Sequence, residues 1–453
     1  MNSMHFNGHF LESPMMPLAE AKTPLSRWNH KVAVWNNFVD SGLTEITEDD
    51  CAIFPRILPA SYLPELVRTA RLITTFAMRL LSLPNDEICT ILPAGPIRNF
   101  LINDLEVLRR PRRRLVGSFR FDMAIVGEPR PGNPPHLLEI NEIGFDGLAR
   151  SSFIQQALLE LIPGLRKKVI VLDTAAAEIR NMRRLGSRMA RFQYDSYNWD
   201  EEFLLRRGKK MGIEFRLVSP DAYKVPKDAD QPLLHWEKVT FGHGMFRVGK
   251  DFYPHAYQLS FALSLEDYRL FKNFYRRLMR SGTPQYGPFV TGLVASKAIL
   301  VLLHDRTLRR RLLGNDRSLE KAILPARLLC DSREKVWESP QDFVLKHADG
   351  FGGEMVFMGK ELERRLRRIT RSKAHEWIVQ KRTPLNLLEV EGILSRPRKV
   401  ISDIGVFVHY DWSRDRFQHF AVGGFISRAT NRSYKVNVSG GGIQVPVMFR
   451  RGK

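Results

Sequence analysis

The stretch from Gly117 to Val126 alternates apolar and polar side chains, and His136-Leu-Leu-Glu139-Ile-Asn141 does so again after a Gly/Pro-rich turn at 127–135. Side chains two apart on a strand share a face. A two-stranded ribbon therefore puts Arg120, Asp122, Glu139 and Asn141 on one surface. Phe119, Phe121, Leu138 and Ile140 take the other. Two carboxylates and an amide oxygen are hard donors of the kind Mg²⁺ takes, and a neighbouring Arg suits the phosphate such a metal escorts.

The chain has 453 residues, too many for one ordinary core, so two or three domains are expected. No run of about 18 uncharged apolar residues is present, so no membrane span is expected. Residues 1–25 lack a charged-then-apolar leader pattern and read as a loose tail. Cys51, Cys89 and Cys330 lie far apart without metal spacing, which fits a reducing, cytoplasmic compartment. The excess of 70 Lys+Arg over 49 Asp+Glu, a net charge of +21, makes a strong field toward anions. Nucleic acid, acidic peptide, nucleotide phosphate or an anionic surface would all answer to it. The densest run is Arg109-Arg-Pro-Arg-Arg-Arg114, with others at Arg180–Arg184, Arg309–Arg311 and Arg364–Arg368. A merely solvated basic surface is the plain alternative.

Helical spacing of Leu63, Leu66, Ala70, Ile73 and Phe76 predicts a helix over 62–83, ended by Pro84-Asn85. Helices are also expected over 97–109 and 149–161, the latter capped by Ser151 or Ser152. Residues 26–115 thus form a mainly helical region, and 116–165 the ribbon with its helix. The apolar run Lys168–Asp173 reads as a buried strand. Helices at 174–186 and 199–211 and a strand at 214–218 complete a parallel α/β unit over 166–262. Beyond 263, helices are expected at 268–280 and 294–304, and strands at 343–346, 377–380, 403–409 and 421–427.

Phe343-Val-Leu-Lys346 delivers a lysine to the Gly-rich turn Gly350-Phe-Gly352-Gly353, from which a second strand departs. Glycines let backbone N–H groups approach a polyphosphate, and the lysine adds a point charge. No Walker sequence is present, and a plain hairpin would look similar. Lys297 lies alone in an apolar helical run. Gln380 ends the strand Trp377–Gln380, where an adenine edge could be met. Arg428 ends another strand, followed by Asn437-Val-Ser-Gly440-Gly441-Gly442.

Together these motifs resemble the ATP-grasp superfamily, an α/β (α+β) fold, and more narrowly its circularly permuted branch, which includes the glutathionylspermidine synthetases. The order marks the branch, because Glu139-x-Asn141 precedes Lys346 by about two hundred residues. The resemblance implies that Asp122, Glu139 and Asn141 hold Mg²⁺, with Mn²⁺ as an alternative, on the phosphates of ATP. It implies that Lys297, Lys346, Gly350, Gly352, Gly353, Asn437, Gly440 and Gly441 surround the nucleotide, with Gln380 at the adenine. Arg120 and Arg428 would neutralise the transferring phosphoryl group. Residues 166–262 would be the strand–helix domain of this branch and 263–453 the nucleotide-binding subdomains. Glu142-Ile-Gly-Phe-Asp146 departs from the run that follows this Asn in glutathionylspermidine synthetases, and the Gly-rich turn lacks their Arg-Glu-Gly. Glutathione and spermidine are therefore not expected as substrates. The implied activity is ATP-dependent carboxylate–amine ligation through an acyl phosphate, on small-molecule or peptide substrates. The alternatives are a basic RNA- or polyanion-binding protein, contacting RNA through Arg109–Arg114, and a phosphotransferase acting on a hydroxyl.

Overall fold

The computed structural model describes residues 55–92, 98, 102, 114–142, 147–161, 164–192, 199–219, 234–235, 239–242, 245–248, 250–258, 276–350, 355–392, 395–430, 436 and 443–451. It shows a mixed α/β architecture in which the larger sheet has 14 strands. One half runs Arg56–Pro59, Ile443–Arg450, Arg416–Thr430, Ile404–Ser413, Leu115–Ala124. The other, parallel half continues through Gln285–Tyr286, His255–Gln258, Arg188–Phe192, Glu214–Ser219 and Leu234–His235. Leu115–Ala124 is the seam. One of its edges pairs antiparallel with Ile404–Ser413; the other is shared by His136–Glu142 and by Tyr286, which meets Val116 in parallel register.

Both faces of the seam strand are covered. Phe119, Phe121 and Met123 join a core with Leu66, Ile73 and Phe76 of the helix Leu63–Leu81. The opposite face, which carries Arg120 and Asp122, packs Val116, Phe407 and Ile426 against the helices Leu148–Leu161 and Thr174–Arg183. Gly423 and Gly424 make the second helix's approach sterically available. A Cβ at Gly424 would lie 2.0 Å from Thr174 Oγ1, and one at Gly423 would lie 1.9 Å from His409 Nε2. Gly424→Ala should therefore cost about 1–3 kcal/mol of overpacking, read as a lower urea midpoint at unchanged slope. An unchanged midpoint would mean the helix yields at no cost.

A second, antiparallel sheet has the order Ala326–Leu328, Trp377–Lys381, Phe343–His347, Val356–Met358. One face closes a small core with Leu345, Val379 and Trp377 against Leu362 and Leu366 of the helix Gly359–Arg368. By strand alternation, Lys346 and Gln380 point from the other face.

The structure corrects several expectations. The region expected to be mainly helical contains a strand, Arg56–Pro59, paired parallel to Ile443–Arg450, and Pro84-Asn85 leads straight into a second helix, Asn85–Ile91. The strand expected over Lys168–Asp173 shrinks to Val169–Ile170, and it pairs antiparallel with the last strand. The parallel unit instead starts at Arg188–Phe192 and runs through the helix Trp199–Lys210 to Glu214–Ser219. Ser151 and Ser152 lie inside their helix and donate outward, to Phe425 O and Asp173 Oδ1. Of the helices expected at 97–109 and 268–280, only parts fall within the described residues.

Candidate functional site

The ribbon has the register expected for a shared polar face. Arg120 stands opposite Asn141, and Asp122 opposite Glu139. The register then slips, so that Met123 meets Leu137 and Leu138 becomes an extra, bulged residue. At that bulge the second sheet docks. Lys346 Nζ donates to Leu138 O at 2.8 Å and to Gln380 Oε1 at 2.8 Å, while Gln380 Nε2 donates to Leu137 O at 3.0 Å.

Charges alternate along the ribbon face. Arg120 binds Asp122 through Nε at 2.8 Å and a terminal nitrogen at 3.2 Å. Asp122 Oδ2 also accepts from Asn141 Nδ2 at 2.9 Å and from Arg428 at 2.7 Å. Arg428 is in turn gripped by Asp403, which accepts from its Nε at 3.1 Å, its backbone N–H at 3.0 Å and its terminal nitrogen. The strand neighbour that leaves room for this chain is Gly405, opposite Asp122. A Cβ there would sit 3.1 Å from Arg120 Cδ and 2.9 Å from Ile426 Cγ2.

Lys297 completes the cluster. It does not lie within a helix, as expected, but in the turn between the 3-10 segment Phe289–Val294 and the helix Ile299–His304. The break lets its ammonium reach Glu139 Oε1 at 2.8 Å and the carbonyl of Gly350. Lys297 is 4 % exposed and Glu139 25 %. Four cations, Arg120, Lys297, Lys346 and Arg428, thus surround Asp122, Glu139 and Asp403.

Burial shapes the titrations. For Asp122, burial raises the carboxyl pKa, but Arg120 and Arg428 outweigh it and hold the group below its usual range. Asp403 is pushed up by burial and by the nearby Asp122, which outweigh the opposing pull of Arg428. Burial alone would lower Arg428; the two aspartates overcome it and raise it. Lys346 is lowered by burial to about 8, with Glu139 opposing the shift and Lys297 adding to it. Burial also raises Asp349, beside Gly350, and raises Glu142, whose carboxylate accepts from Thr291 on the opposite face of the ribbon.

The structure thus brings together Arg120, Asp122, Glu139, Asn141, Lys297, Lys346, Gly350, Gln380 and Arg428. Gln380 is buried, and both ends of its amide are used within the protein rather than held at an open edge. Gly352, Gly353, Asn437, Gly440 and Gly441 lie outside the described residues, as does the arginine run except for Arg114, which binds Asp411 at 2.7 Å. Sequence reasoning missed Asp403. Its one signal was a carboxylate placed directly before an apolar strand, where a buried charge requires a partner.

No protein-family model matches this chain, and no curated protein does. Among solved structures, a glutathione synthetase-like effector from Globodera pallida, in its apo form, has a TM-score of 0.69 at 9 % identity. That alignment covers 95 % of this chain and 97 % of the other. A RimK domain ATP-grasp protein from Sphaerobacter thermophilus matches at 15 % identity over 56 % of this chain and 94 % of its own, with a TM-score of 0.27. D-alanyl-alanine synthetase A from Vibrio cholerae matches at 9 % over 53 % and 88 %, also with a TM-score of 0.27. The two partial likenesses are too slight to argue from. The first shows the fold alone: this chain shares the overall fold of that glutathione synthetase-like effector.

Proposed function

We propose that this chain is an ATP-dependent carboxylate–amine ligase. The observation that carries it is the convergence, across two sheets, of Lys297 and Lys346 on the ribbon bearing Glu139 and Asn141. The γ-phosphoryl group of ATP passes to a substrate carboxylate. An amine then attacks the acyl phosphate, forming the amide and releasing phosphate. Such chemistry needs positioning and charge neutralisation more than a protein nucleophile. Arg120 and Arg428, held in place by Asp122 and Asp403, supply fixed positive charge to the phosphoryl group. Lys297 and Lys346 bind phosphate oxygens. The early place of Glu139-x-Asn141 in the chain corresponds to the permuted branch.

The donor set fits a hard divalent cation. Glu139 is the most exposed carboxylate of the cluster, and Asn141, with its amide nitrogen on Asp122, keeps its carbonyl oxygen for another group. Mg²⁺ held there would neutralise charge on the nucleotide phosphates. Asp122 already accepts from Arg120, Arg428 and Asn141, so its part is to fix the arginines.

The test is ADP release with Mg·ATP and pools of amino acids and short peptides, followed by mass spectrometry of the product. Glu139→Gln should lower that release by about 10²–10³-fold with little loss of stability. Turnover at the wild-type level would remove Glu139 from the site. A second proposal, a binding protein that keeps the fold without catalysis, draws on the pairing of Glu139 and Asp122 with the protein's own cations. That the Globodera pallida structural neighbour is an effector accords with it. It requires that Mg·ATP cause no thermal shift.

A further inference from the structure

The helix Gly359–Arg368 buries Leu362 and Leu366 and turns Lys360, Arg364, Arg367 and Arg368 to solvent. These four stand one helical turn apart along one face. Arg371 and Lys373, both exposed, extend the stripe through the next turn. Among the described residues none of the six forms an ion pair with a carboxylate. Like charges at this spacing cost a helix about 0.2–0.5 kcal/mol per pair. The helix C-terminus favours Arg367 and Arg368, but Lys360 sits at the wrong end for that. Glu361 and Glu363 stand three and four residues before Arg364 and Arg367, so helix pairing accounts for part of the stripe but not for Arg368 or Arg371.

A second observation lies beside it. Trp337 is 49 % exposed, one of two large apolar side chains so placed among the described residues, and the Arg367 guanidinium lies 5.7 Å from its ring centroid. A row of cations beside a half-exposed indole, with Arg367 over one face of the ring, is what single-stranded nucleic acid needs: charge along the phosphates and an aromatic edge and face on which a base stacks. An anionic bilayer would ask for an apolar face to insert, and the apolar side of this helix is already buried in the small core.

We propose that Lys360, Arg364, Arg367, Arg368, Arg371 and Lys373, with Trp337, form a docking surface for single-stranded nucleic acid. The surface is separate from the Glu139 cluster and independent of the ligase proposal. The test is the anisotropy of a labelled oligouridylate titrated with the full chain at several salt concentrations. The triple charge reversal Arg364→Glu, Arg367→Glu, Arg368→Glu should weaken binding tenfold or more. It should flatten the log–log salt slope by about 2, at roughly 0.7 per phosphate contact on a single strand. Trp337→Ala should weaken binding several-fold with the slope unchanged. Because the whole chain is cationic, the control reverses three exposed arginines elsewhere, Arg180, Arg183 and Arg184, with the same change in net charge. Equal weakening by both triples would overturn the proposal, since bulk charge would then explain the binding. So would no binding of the wild type at low salt, or binding to phosphatidylserine vesicles but not to the oligonucleotide.

Discussion

Replacing Arg428 with methionine should lower the unfolding free energy by about 3–5 kcal/mol, because it strands buried carboxylates without their cation. Asp403 is 0 % exposed and spends its carboxylate on Arg428; Asp122 shares the same guanidinium with Arg120. Urea unfolding at neutral pH checks the size. The pH dependence has a definite sign. Burial already pushes Asp403 up, and losing Arg428 pushes it further, so the folded variant binds a proton there that the unfolded chain does not. Its deficit should therefore shrink as pH falls through that range. Adding Asp403→Asn to Arg428→Met removes one of the stranded charges and should recover part of the loss. A single variant within about 1 kcal/mol of wild type would show that the alternating chain of charges is not what holds this part of the site.

Lys346→Met should reduce Mg·ATP-dependent ADP release by about 10²–10³-fold, the usual cost of removing a fixed positive charge from a phosphoryl-transfer site. Lys346 titrates near 8, so its charged form fades as pH rises through that value. Mg·ATP affinity should fall over the same interval. Gln380→Glu should move the inflection up, because a carboxylate beside the ammonium favours its charge. Gln380→Leu should move it down by removing the acceptor at 2.8 Å. For stability the sign reverses. The folded pKa lies below the ordinary 10.5, so the unfolded chain takes up more protons between the two values and stability rises with pH across that window. A Mg·ATP affinity flat through this range in wild type would separate Lys346 from the phosphates.

The ribbon was legible because strand geometry is local. Alternation fixes which side chains share a face, and the observed register sets Arg120 against Asn141 and Asp122 against Glu139 as that rule requires. The strands bearing Lys346 and Gln380 were legible for the same reason. The bulge at Leu138 was not, since it depends on what docks at Leu137 O and Leu138 O. Lys297 was read onto a helix because its neighbours are apolar, and a break of the helix for an ion pair with Glu139 leaves no mark in hydrophobic spacing.

Strand pairing shows the same division. Val169–Ile170 looked like the first strand of a parallel unit, yet its partner is the last strand of the chain. A two-residue strand carries too little pattern to choose its neighbour. Asp403 became a site residue only when Arg428 was brought to it across two antiparallel strands.

By itself the sequence determined which residue types share a surface, because the periods of strand and helix are properties of the local backbone. It therefore determined a polar ribbon and a lysine delivered to a glycine turn. The tertiary structure alone decided which of those surfaces meet. Pairing of distant charges is set by burial, where an unpartnered ion costs more than the fold can bear. That is why Lys297 leaves its helix for Glu139, why Asp403 holds Arg428, and why the arginine stripe on Gly359–Arg368, which nothing buries, stays open to solvent.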